Sequence, residues 1–195
     1  MRNNEIIPSL FFDVCSNSNV KAYEQLYKIL YARLAHFSAS IVGSFQSAEE
    51  IVSDVFIMLW CKREQFVHVE NPVVYLYVCV RNFSLNALPR NKARYIDFDT
   101  LDKDALSVIP DIEERLISRE VAIIIEKAIR ELPGRCQMIF RLIKIDGLSY
   151  KEVAELLDIS SKTVDAQLAI AVKKLSHAIR LYTPTHLVND YLKIS

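Results

Sequence analysis

Glycine is scarce in this chain, with 3 glycines in 195 residues. So few glycines disfavour a turn-rich all-β fold and the glycine-rich phosphate loops of nucleotide-binding enzymes. No segment is long and apolar enough to span a membrane. The N-terminus also lacks the basic region, apolar run and small-residue cleavage site of a secretory signal peptide. We therefore predict an all-α cytoplasmic protein without membrane insertion.

Metal-ligand spacings are also missing. The 4 cysteines include no C-x-x-C pair, and no histidine lies near them at a ligand spacing. The 4 histidines share no spacing with acids or cysteines that would build a metal or nucleophile site. We expect buried reduced thiols, no metal, no cofactor and no enzymatic activity. The cysteines are Cys15, Cys61, Cys79 and Cys136.

The net charge is zero, with 24 basic and 24 acidic side chains, but the charges are unevenly distributed. Residues 1–94 carry a net +2, residues 95–126 a net −6 and residues 127–180 a net +4. No acidic residue occurs between Asn71 and Arg94. Because a polyanion meets the local field rather than the total charge, nucleic acid remains a candidate partner.

Two amphipathic helices are predicted first. Asn19 is placed to cap a helix whose apolar residues step by three and four up to Gly43. Ser47–Glu50 has the sequence of a capping box and predicts the start of a second helix, which ends near Lys62.

A third helix is predicted from Asn71 and Pro72 to about Leu88, because Asn suits the N-cap and Pro the first helical position. Its first part, residues 73–80, is a continuous apolar run that is also consistent with a buried strand. We favour a helix because no partner strand is evident. Residues 95–110 show no helical period and read as an acidic tether between two helical bundles.

The second bundle begins with a helix from Asp111 to about Glu131, followed by a turn at residues 132–134 and another helix that ends near Gly147. A capping box at Ser149–Glu152 then predicts a short helix. A last long helix begins around Ser161 and is expected to bury Val164, Leu168, Ala171, Val172 and Leu175.

The two last helices fit a helix-turn-helix. That motif needs a small residue within its first helix, a turn residue that tolerates positive φ, and an apolar residue early in its second helix. Ala154, Asp158 and Val164 meet these needs. Short hydroxyls, an amide and lysines then remain on the outer face, where they suit base edges and phosphates of a major groove. An ordinary helical hairpin with a solvated polar face is the alternative.

These residues resemble a known family. Residues 128–133, 147–154 and 163–165 look like the C-terminal promoter-recognition domain of bacterial sigma factors, sigma-70 family, extracytoplasmic-function (ECF) group. Residues 48–60 are similar to that group's polymerase-binding helix, and residues 71–82 resemble its promoter-melting helix.

The resemblance implies a non-enzymatic specificity subunit that binds core RNA polymerase and promoter DNA, and an anti-sigma factor is a further candidate partner. It divides the chain into a sigma region 2-like domain, a linker, a sigma region 4-like helix-turn-helix domain and a tail of unknown role. The region 2-like domain is 1–94, the linker 95–111, the region 4-like domain 112–180 and the tail 181–195. Within the first domain, polymerase binding is expected at about 48–62 and minus-ten recognition at about 65–94. The helix-turn-helix is expected at about 149–175.

The resemblance also implies site residues. The minus-thirty-five readers are Ser161, Lys162, Thr163, Asp165, Gln167, Lys173 and Lys174. The minus-ten residues are Tyr75, Tyr77, Arg81, Asn82, Asn86 and Arg90, with Glu70 and His68 in the loop that matches a flipped-base pocket. For each of the two tyrosines, packing in the core is an equal alternative. The polymerase contacts are Asp54, Phe56, Leu59 and Trp60. Two other classes stay open: a regulator that binds DNA without polymerase, and an all-α adaptor that binds only proteins.

Overall fold

The computed structural model describes residues 2–88 and 127–182, and their side chains over residues 5–88 and 127–177. These ranges contain helices and no strand, which confirms the all-α prediction. The acidic linker, Arg90, most of the helix expected from Asp111 and almost all of the tail lie outside the described residues.

The N-terminal bundle is residues 2–88. Helix α2 lies at its centre and packs against the other three α-helices. Leu26, Leu30 and Leu34 of α2 have no exposed surface and form the middle of the core. The helices are α1 (Arg2–Asn17), α2 (Val20–Val42), α3 (Phe45–Cys61), a short 3-10 helix (Arg63–Phe66) and α4 (Pro72–Ala87).

Both ends of α2 are as predicted. The Asn19 side chain accepts from the backbone N–H groups of Lys21 and Ala22 at 3.0 and 3.2 Å. Gly43 ends the helix with a left-handed φ of 74°, which glycine adopts without a Cβ penalty.

The predicted start of α3 is wrong. Ser44, not Ser47, is the N-cap, and its hydroxyl accepts from the Ser47 N–H at 3.3 Å. The earlier start follows directly on the turn at Gly43 and lets the Phe45 ring lie 5.6 Å from the His36 ring. Because Ser47 already lies within the first turn, it forms no capping box with Glu50.

The sequence analysis predicted no helix before Asn19, whereas α1 occupies Arg2–Asn17 with Pro8 inside it. Ile7, Phe11 and Val14 nevertheless follow a helical spacing and are buried against the rest of the bundle. Proline removes one hydrogen bond and bends a helix, but burial of this apolar row supports the helix on both sides of it.

Helix α4 settles the choice between helix and strand for residues 73–80. The Asn71 side chain accepts from the Val74 N–H at 3.3 Å, and Pro72 is the first helical residue. The strand alternative is therefore wrong.

The C-terminal bundle is residues 127–182. Residues 127–130 are helical, and they are followed by α5 (Gly134–Phe140), a π-helical turn (Arg141–Ile145), α6 (Tyr150–Leu157) and α7 (Ser161–Tyr182). Helix α7 buries Val164, Leu168, Ala171 and Leu175 as expected, but Val172 is exposed. The four buried residues follow one line along the helix, and Val172 lies beside that line rather than on it.

Not all four cysteine thiols are buried. Cys15 and Cys136 are buried, Cys79 is half-buried and Cys61 is exposed near the end of α3, so the expectation of four buried thiols is wrong for Cys61. None of the four forms a disulfide in the structure.

The two bundles pack against each other. Helix α4 contacts α6, and one continuous apolar cluster includes Leu76 and Val80 of the first bundle together with Leu142 and Leu148 of the second. The acidic tether was expected to separate two bundles, whereas their described parts share a core.

We predict that Ser44→Ala lowers the free energy of unfolding by about 1 kcal/mol, because α3 loses its N-cap acceptor. Ser47→Ala, inside the helix, is the matched control and should cost less than about 0.5 kcal/mol. Urea unfolding followed by circular dichroism measures both. A larger loss of unfolding free energy for Ser47→Ala than for Ser44→Ala would show that Ser44 is not the N-cap of α3.

Candidate nucleic-acid interface

The α6–turn–α7 segment is a helix-turn-helix. Ser149 caps α6 by accepting from the Glu152 N–H at 3.3 Å, and the Glu152 carboxylate accepts from the Ser149 N–H at 2.7 Å. Asp158 has a left-handed φ of 54° in the turn. Ala154 and Val164 are buried where the helices cross. Each feature that the sequence predicted for the motif is therefore present.

The start of α7 is held by Ser160. Its hydroxyl accepts from the Thr163 N–H at 3.0 Å and lies 2.8 Å from the Thr163 hydroxyl. Thr163 is half-buried by this contact. The free N–H groups and positive dipole end of a long helix are thus presented beside an exposed lysine, Lys162, which suits an anionic ligand.

Most of the predicted minus-thirty-five residues lie on the surface of α7. Ser161, Lys162, Asp165, Lys173 and Lys174 are exposed. Gln167 differs, because its amide oxygen accepts from the Cys136 thiol at 2.9 Å and the side chain is half-buried against α5.

Two small residues complete the outer face of α7. Ala166 and Ala169 are exposed and lie between Lys162 and Lys173 at spacings of four, three and four. Such a row shares one side of a helix, and its small side chains permit close approach to a groove. Sequence reasoning missed both, although their spacing from the two lysines was the available signal.

Helix α4 presents its polar residues but not its rings. Asn82 and Asn86 are exposed and Arg81 is half-buried. Tyr75 is half-buried, with its ring 6.5 Å from the Phe11 ring and 5.2 Å from the Phe66 ring.

Tyr77 is only 1% exposed. Its ring meets the Phe37 ring edge-on at a centroid distance of 5.0 Å. Burial, followed by the neighbouring Asp146 carboxylate, raises the pKa of the Tyr77 hydroxyl well above its ordinary range. Since Phe37 of its own bundle and residues of the C-terminal bundle surround this ring, no base can stack on it in this arrangement.

A polar contact joins α4 to the C-terminal bundle at Tyr77. The Tyr77 hydroxyl donates to Asp146 Oδ2 at 2.6 Å, and Arg33 Nη1 lies 3.5 Å from Asp146 Oδ1. The π-helical turn ends at Asp146, whose N–H donates to the Arg141 carbonyl at 3.0 Å. A cavity of about 20 Å³, enough for one water molecule, lies at this contact and is also lined by His36.

A second polar contact lies at the N-terminus of α4. Asn71 Nδ2 donates to Glu152 Oε1 at 2.7 Å. Next to it, a groove of about 290 Å³ is lined by Glu70 and Asn71 from the first bundle and by Gly147 and Leu148 from the second. Glu70 therefore lies at the boundary between the bundles, and both Glu70 and the nearby His68 are exposed.

Sequence reasoning missed Arg33, Asp146 and Glu152 as contact residues. One signal was present for Arg33, which lies one helical turn from both Leu30 and Phe37 and so places a charge beside the apolar row of α2. Asp146 gave no such signal, because an aspartate before a glycine is common in turns.

Asp146 is a carboxylic acid whose burial disfavours its charged form. Burial raises its pKa from 3.8 to about 6, although the Tyr77 hydroxyl and the charges of Arg33 and Arg141 act in the opposite direction.

The predicted polymerase contacts lie on α3, but two of them face the core. Phe56 and Leu59 are 1% and 0% exposed, so neither can touch a partner. Asp54 is exposed. Trp60 is half-buried, with its ring 5.1 Å from the Tyr23 ring and the Arg63 guanidinium 4.8 Å above it.

Ile57 is the residue that the sequence analysis missed on α3. Its side chain is 58% exposed. It lies three residues from Asp54 and four from Cys61, both also exposed, so the three form one outward row.

Two family models match the chain. Sigma-70 region 2 matches residues 22–94, and sigma-70 region 4 matches residues 122–175. With the helix-turn-helix above, these matches define a DNA-binding protein of transcription initiation.

Curated relatives are similar over most of the chain. The ECF RNA polymerase sigma-E factor of Escherichia coli K12 is 25% identical over 171 residues, which cover 82% of this chain and 90% of the relative. The ECF RNA polymerase sigma factor SigW of Bacillus subtilis 168 is 24% identical over 166 residues, which cover 81% of this chain and 82% of that relative. This chain belongs to the sigma-70 family, in its ECF group. It is a sigma factor that binds core RNA polymerase and promoter DNA.

A solved structure supports the fold. The sigma factor RpoE of Bartonella quintana, in complex with the anti-sigma factor NepR, superposes with a TM-score of 0.51 at 20% identity. The match covers 84% of this chain and 100% of that one. Among the helices of residues 2–88 and 127–182, none has the length and apolar character required to cross a membrane.

We predict that Asp146 makes stability depend on pH. Between pH 3.8 and about 6 the native carboxyl holds a proton that the unfolded one has lost, so its contribution falls as pH rises through this window. As pH rises through this window, the free energy of unfolding of the wild type should fall, relative to that of Asp146→Asn, by up to about 1 kcal/mol for each pH unit. Urea titrations at several pH values measure the difference.

Asp146→Asn is the reference because asparagine keeps an oxygen for the Tyr77 hydroxyl but cannot titrate. A difference between the two proteins that stays flat from pH 4 to 7 would contradict the prediction.

Proposed function

We propose that the two bundles read different parts of one promoter. Helix α7 enters the major groove of the minus-thirty-five element, and α4 with the preceding loop captures the minus-ten element as a single strand. The observation that supports the first role best is the exposed row of α7, which combines hydroxyl, lysine and small side chains at the free end of a helix-turn-helix.

Within α7, Ser161, Lys162 and Asp165 are the exposed residues nearest the N-terminus, where recognition helices meet base edges. Asp165 suits acceptance from a cytosine amino group, since a carboxylate next to phosphates is otherwise repelled. Lys173 and Lys174 suit flanking phosphates. Gln167 and Thr163, which are already bonded to protein groups, contribute by exchanging those bonds for bonds to DNA.

Capture of the minus-ten strand needs donors and stacking surfaces. Arg81, Asn82 and Asn86 supply donors along α4, and Arg90 adds one beyond its end. Stacking on Tyr75 or Tyr77 is worth about 1–3 kcal/mol per base, so a few captured bases offset the cost of unpairing them. For Tyr77 this requires that the groups covering its ring, Phe37 of its own bundle and residues of the C-terminal bundle, move away.

Core polymerase binds the outward row of α3 in this proposal. Asp54, Ile57 and Cys61 are the exposed members of this row, with Trp60 half-buried beside them. Phe56 and Leu59 support this surface from the core rather than touch the polymerase. The role is non-enzymatic and cytoplasmic: this chain supplies promoter specificity, and polymerase catalyses RNA synthesis.

Run-off transcription by purified core polymerase and this chain on genomic fragments tests the proposal and yields a promoter. A gel shift on that promoter, with and without core polymerase, separates the other two classes. Specific binding by the free chain as tight as that of the holoenzyme would favour a polymerase-independent regulator. Transcription unaffected by the chain would favour an adaptor.

We predict that Lys162→Glu weakens holoenzyme binding to this promoter and reduces the salt slope of the binding constant by about one unit, because one phosphate contact is lost. Lys21→Glu makes the same change of charge at an exposed site in the first turn of α2 and should leave the slope unchanged. Filter binding over a range of salt concentrations measures both. Equal salt slopes for the two variants would show that Lys162 does not contact DNA in the complex.

We predict that Ile57→Asp lowers the affinity for core polymerase about tenfold, because an exposed apolar anchor is replaced by a charge. The same change at Val20, also an exposed apolar residue, should have little effect. Fluorescence anisotropy of labelled chain against core polymerase measures both affinities, and circular dichroism checks the fold. Loss of binding by Val20→Asp but not by Ile57→Asp would move the polymerase surface away from α3.

A further inference from the structure

The outer face of α7 carries an apolar residue for which the contacts described so far have no use. Ile170 is 42% exposed. It follows Ala166 by four residues and precedes Lys173 by three, so the three residues share one side of the helix. Single exposed isoleucines are common on protein surfaces, and the meaning of this one therefore depends on its neighbours.

Lysines bracket the apolar part of this face. Lys162 and Lys173 lie at its two ends, about 16 Å apart along the helix axis. The major groove of B-DNA is about 12 Å wide. The two lysines therefore suit the phosphates on the walls of the groove, and Ala166, Ala169 and Ile170 between them suit the base edges. This charge pattern favours DNA over a protein as the partner of the face, because lysine is depleted in protein–protein interfaces.

Base edges in the major groove present one substantial apolar group, the C5-methyl of thymine. The other groups at these edges are hydrogen-bond donors and acceptors. An isoleucine packed against them removes them from water without replacing their hydrogen bonds, which is unfavourable. Packed against a methyl group, the same side chain buries apolar surface on both partners, which is favourable.

We propose that Ile170, with Ala166 and Ala169 beside it, reads a thymine methyl group of the minus-thirty-five element. The inference rests on the proposed function of α7 in the major groove and adds a specificity-determining residue to it. The alanine side chains end at Cβ, so the helix can approach closely enough for the longer isoleucine to reach the methyl group.

This readout is independent of the cytosine contact proposed for Asp165. Asp165 lies five residues before Ile170, which places the two side chains about 140° apart around the helix axis. The two residues therefore meet different base pairs. The minus-thirty-five element accordingly contains a T·A pair that contacts Ile170.

Uracil in place of thymine isolates the methyl group, because deoxyuridine lacks only that group and keeps every hydrogen-bonding atom of the base edge. The probe is the promoter obtained by run-off transcription, with the T·A pairs of its minus-thirty-five element changed to U·A one at a time. At one or more of these pairs, wild-type holoenzyme should bind about fourfold more weakly, the factor expected for one buried methyl-sized group. Filter binding at constant salt measures the dissociation constants.

Two variants assign the effect to Ile170. In Ile170→Ala, the loss of affinity caused by uracil at that pair should fall below about 1.5-fold, because the partner of the methyl group is gone. Val172→Ala is the matched control. It also removes exposed apolar surface from α7, but Val172 lies about 160° around the helix axis from Ile170. This variant should keep the fourfold loss, and an effect of uracil on DNA shape would be equal in both variants.

The methyl readout is overturned if the minus-thirty-five element contains no T·A pair, or if no change to U·A weakens binding more than about twofold. It is also overturned if Ile170→Ala keeps the full loss. A protein contact is a distinct outcome: Ile170→Ala would then bind core polymerase more weakly in the absence of DNA and leave the uracil effect unchanged.

Lys162→Glu on the unmodified promoter separates these results from a failure of the proposed function. If its holoenzyme binds as tightly as the wild type and uracil has no effect, α7 does not contact the duplex and both proposals fail. If it binds more weakly and uracil still has no effect, only the methyl readout fails.

Discussion

The arrangement of this molecule depends on a carboxylate buried where the two bundles meet. Asp146 accepts from the Tyr77 hydroxyl and lies beside the Arg33 guanidinium, both of the opposite bundle, and within the field of Arg141 of its own bundle. A buried carboxylate without partners is strongly unfavourable, so close packing of the bundles requires that Tyr77 and Arg33 meet it. The polar contact therefore fixes how the bundles are oriented, while the surrounding apolar cluster provides the attraction that holds them together.

The two candidate DNA surfaces differ in exposure. The outer row of α7 lies away from the contact between the bundles and is exposed over its first turns. The rings of α4 are covered, Tyr75 beside Phe11 and Phe66 of its own bundle, and Tyr77 beside Phe37 with its hydroxyl on Asp146. A helix that offers rings to bases also offers them to any apolar neighbour, so the same property that suits α4 to strand capture suits it to self-association within one chain.

Local sequence rules predicted the parts of the fold that are decided locally. The Asn19 cap, the Ser149 capping box and the left-handed Asp158 depend on neighbours within a few residues, and all three are present. Ser47 was misjudged because a competing serine three residues earlier extends α3 by a turn. The π-helical turn after α5 has no simple composition signal.

Contacts between distant residues were beyond the same rules. Periodicity shows that Tyr77 lies on a helix, but it cannot tell whether its hydroxyl meets solvent or a residue 69 positions later. For α3 the helical spacing was informative and was overlooked. Phe56 and Leu59 share the core-facing side with Val52, whereas Ile57 lies on the other side.

The difference in exposure also implies an order of events during initiation. A duplex groove can receive α7 without any change in the chain, because its reading row is free in the closed form. In the proposed function, a single strand stacks on Tyr77 only after the groups around its ring and hydroxyl have moved away. Duplex contact can therefore precede strand capture, and the energy for separating the bundles has to come from contacts that form after docking, with polymerase or with the minus-ten element itself. A promoter that engaged α7 alone would be held as duplex and not opened.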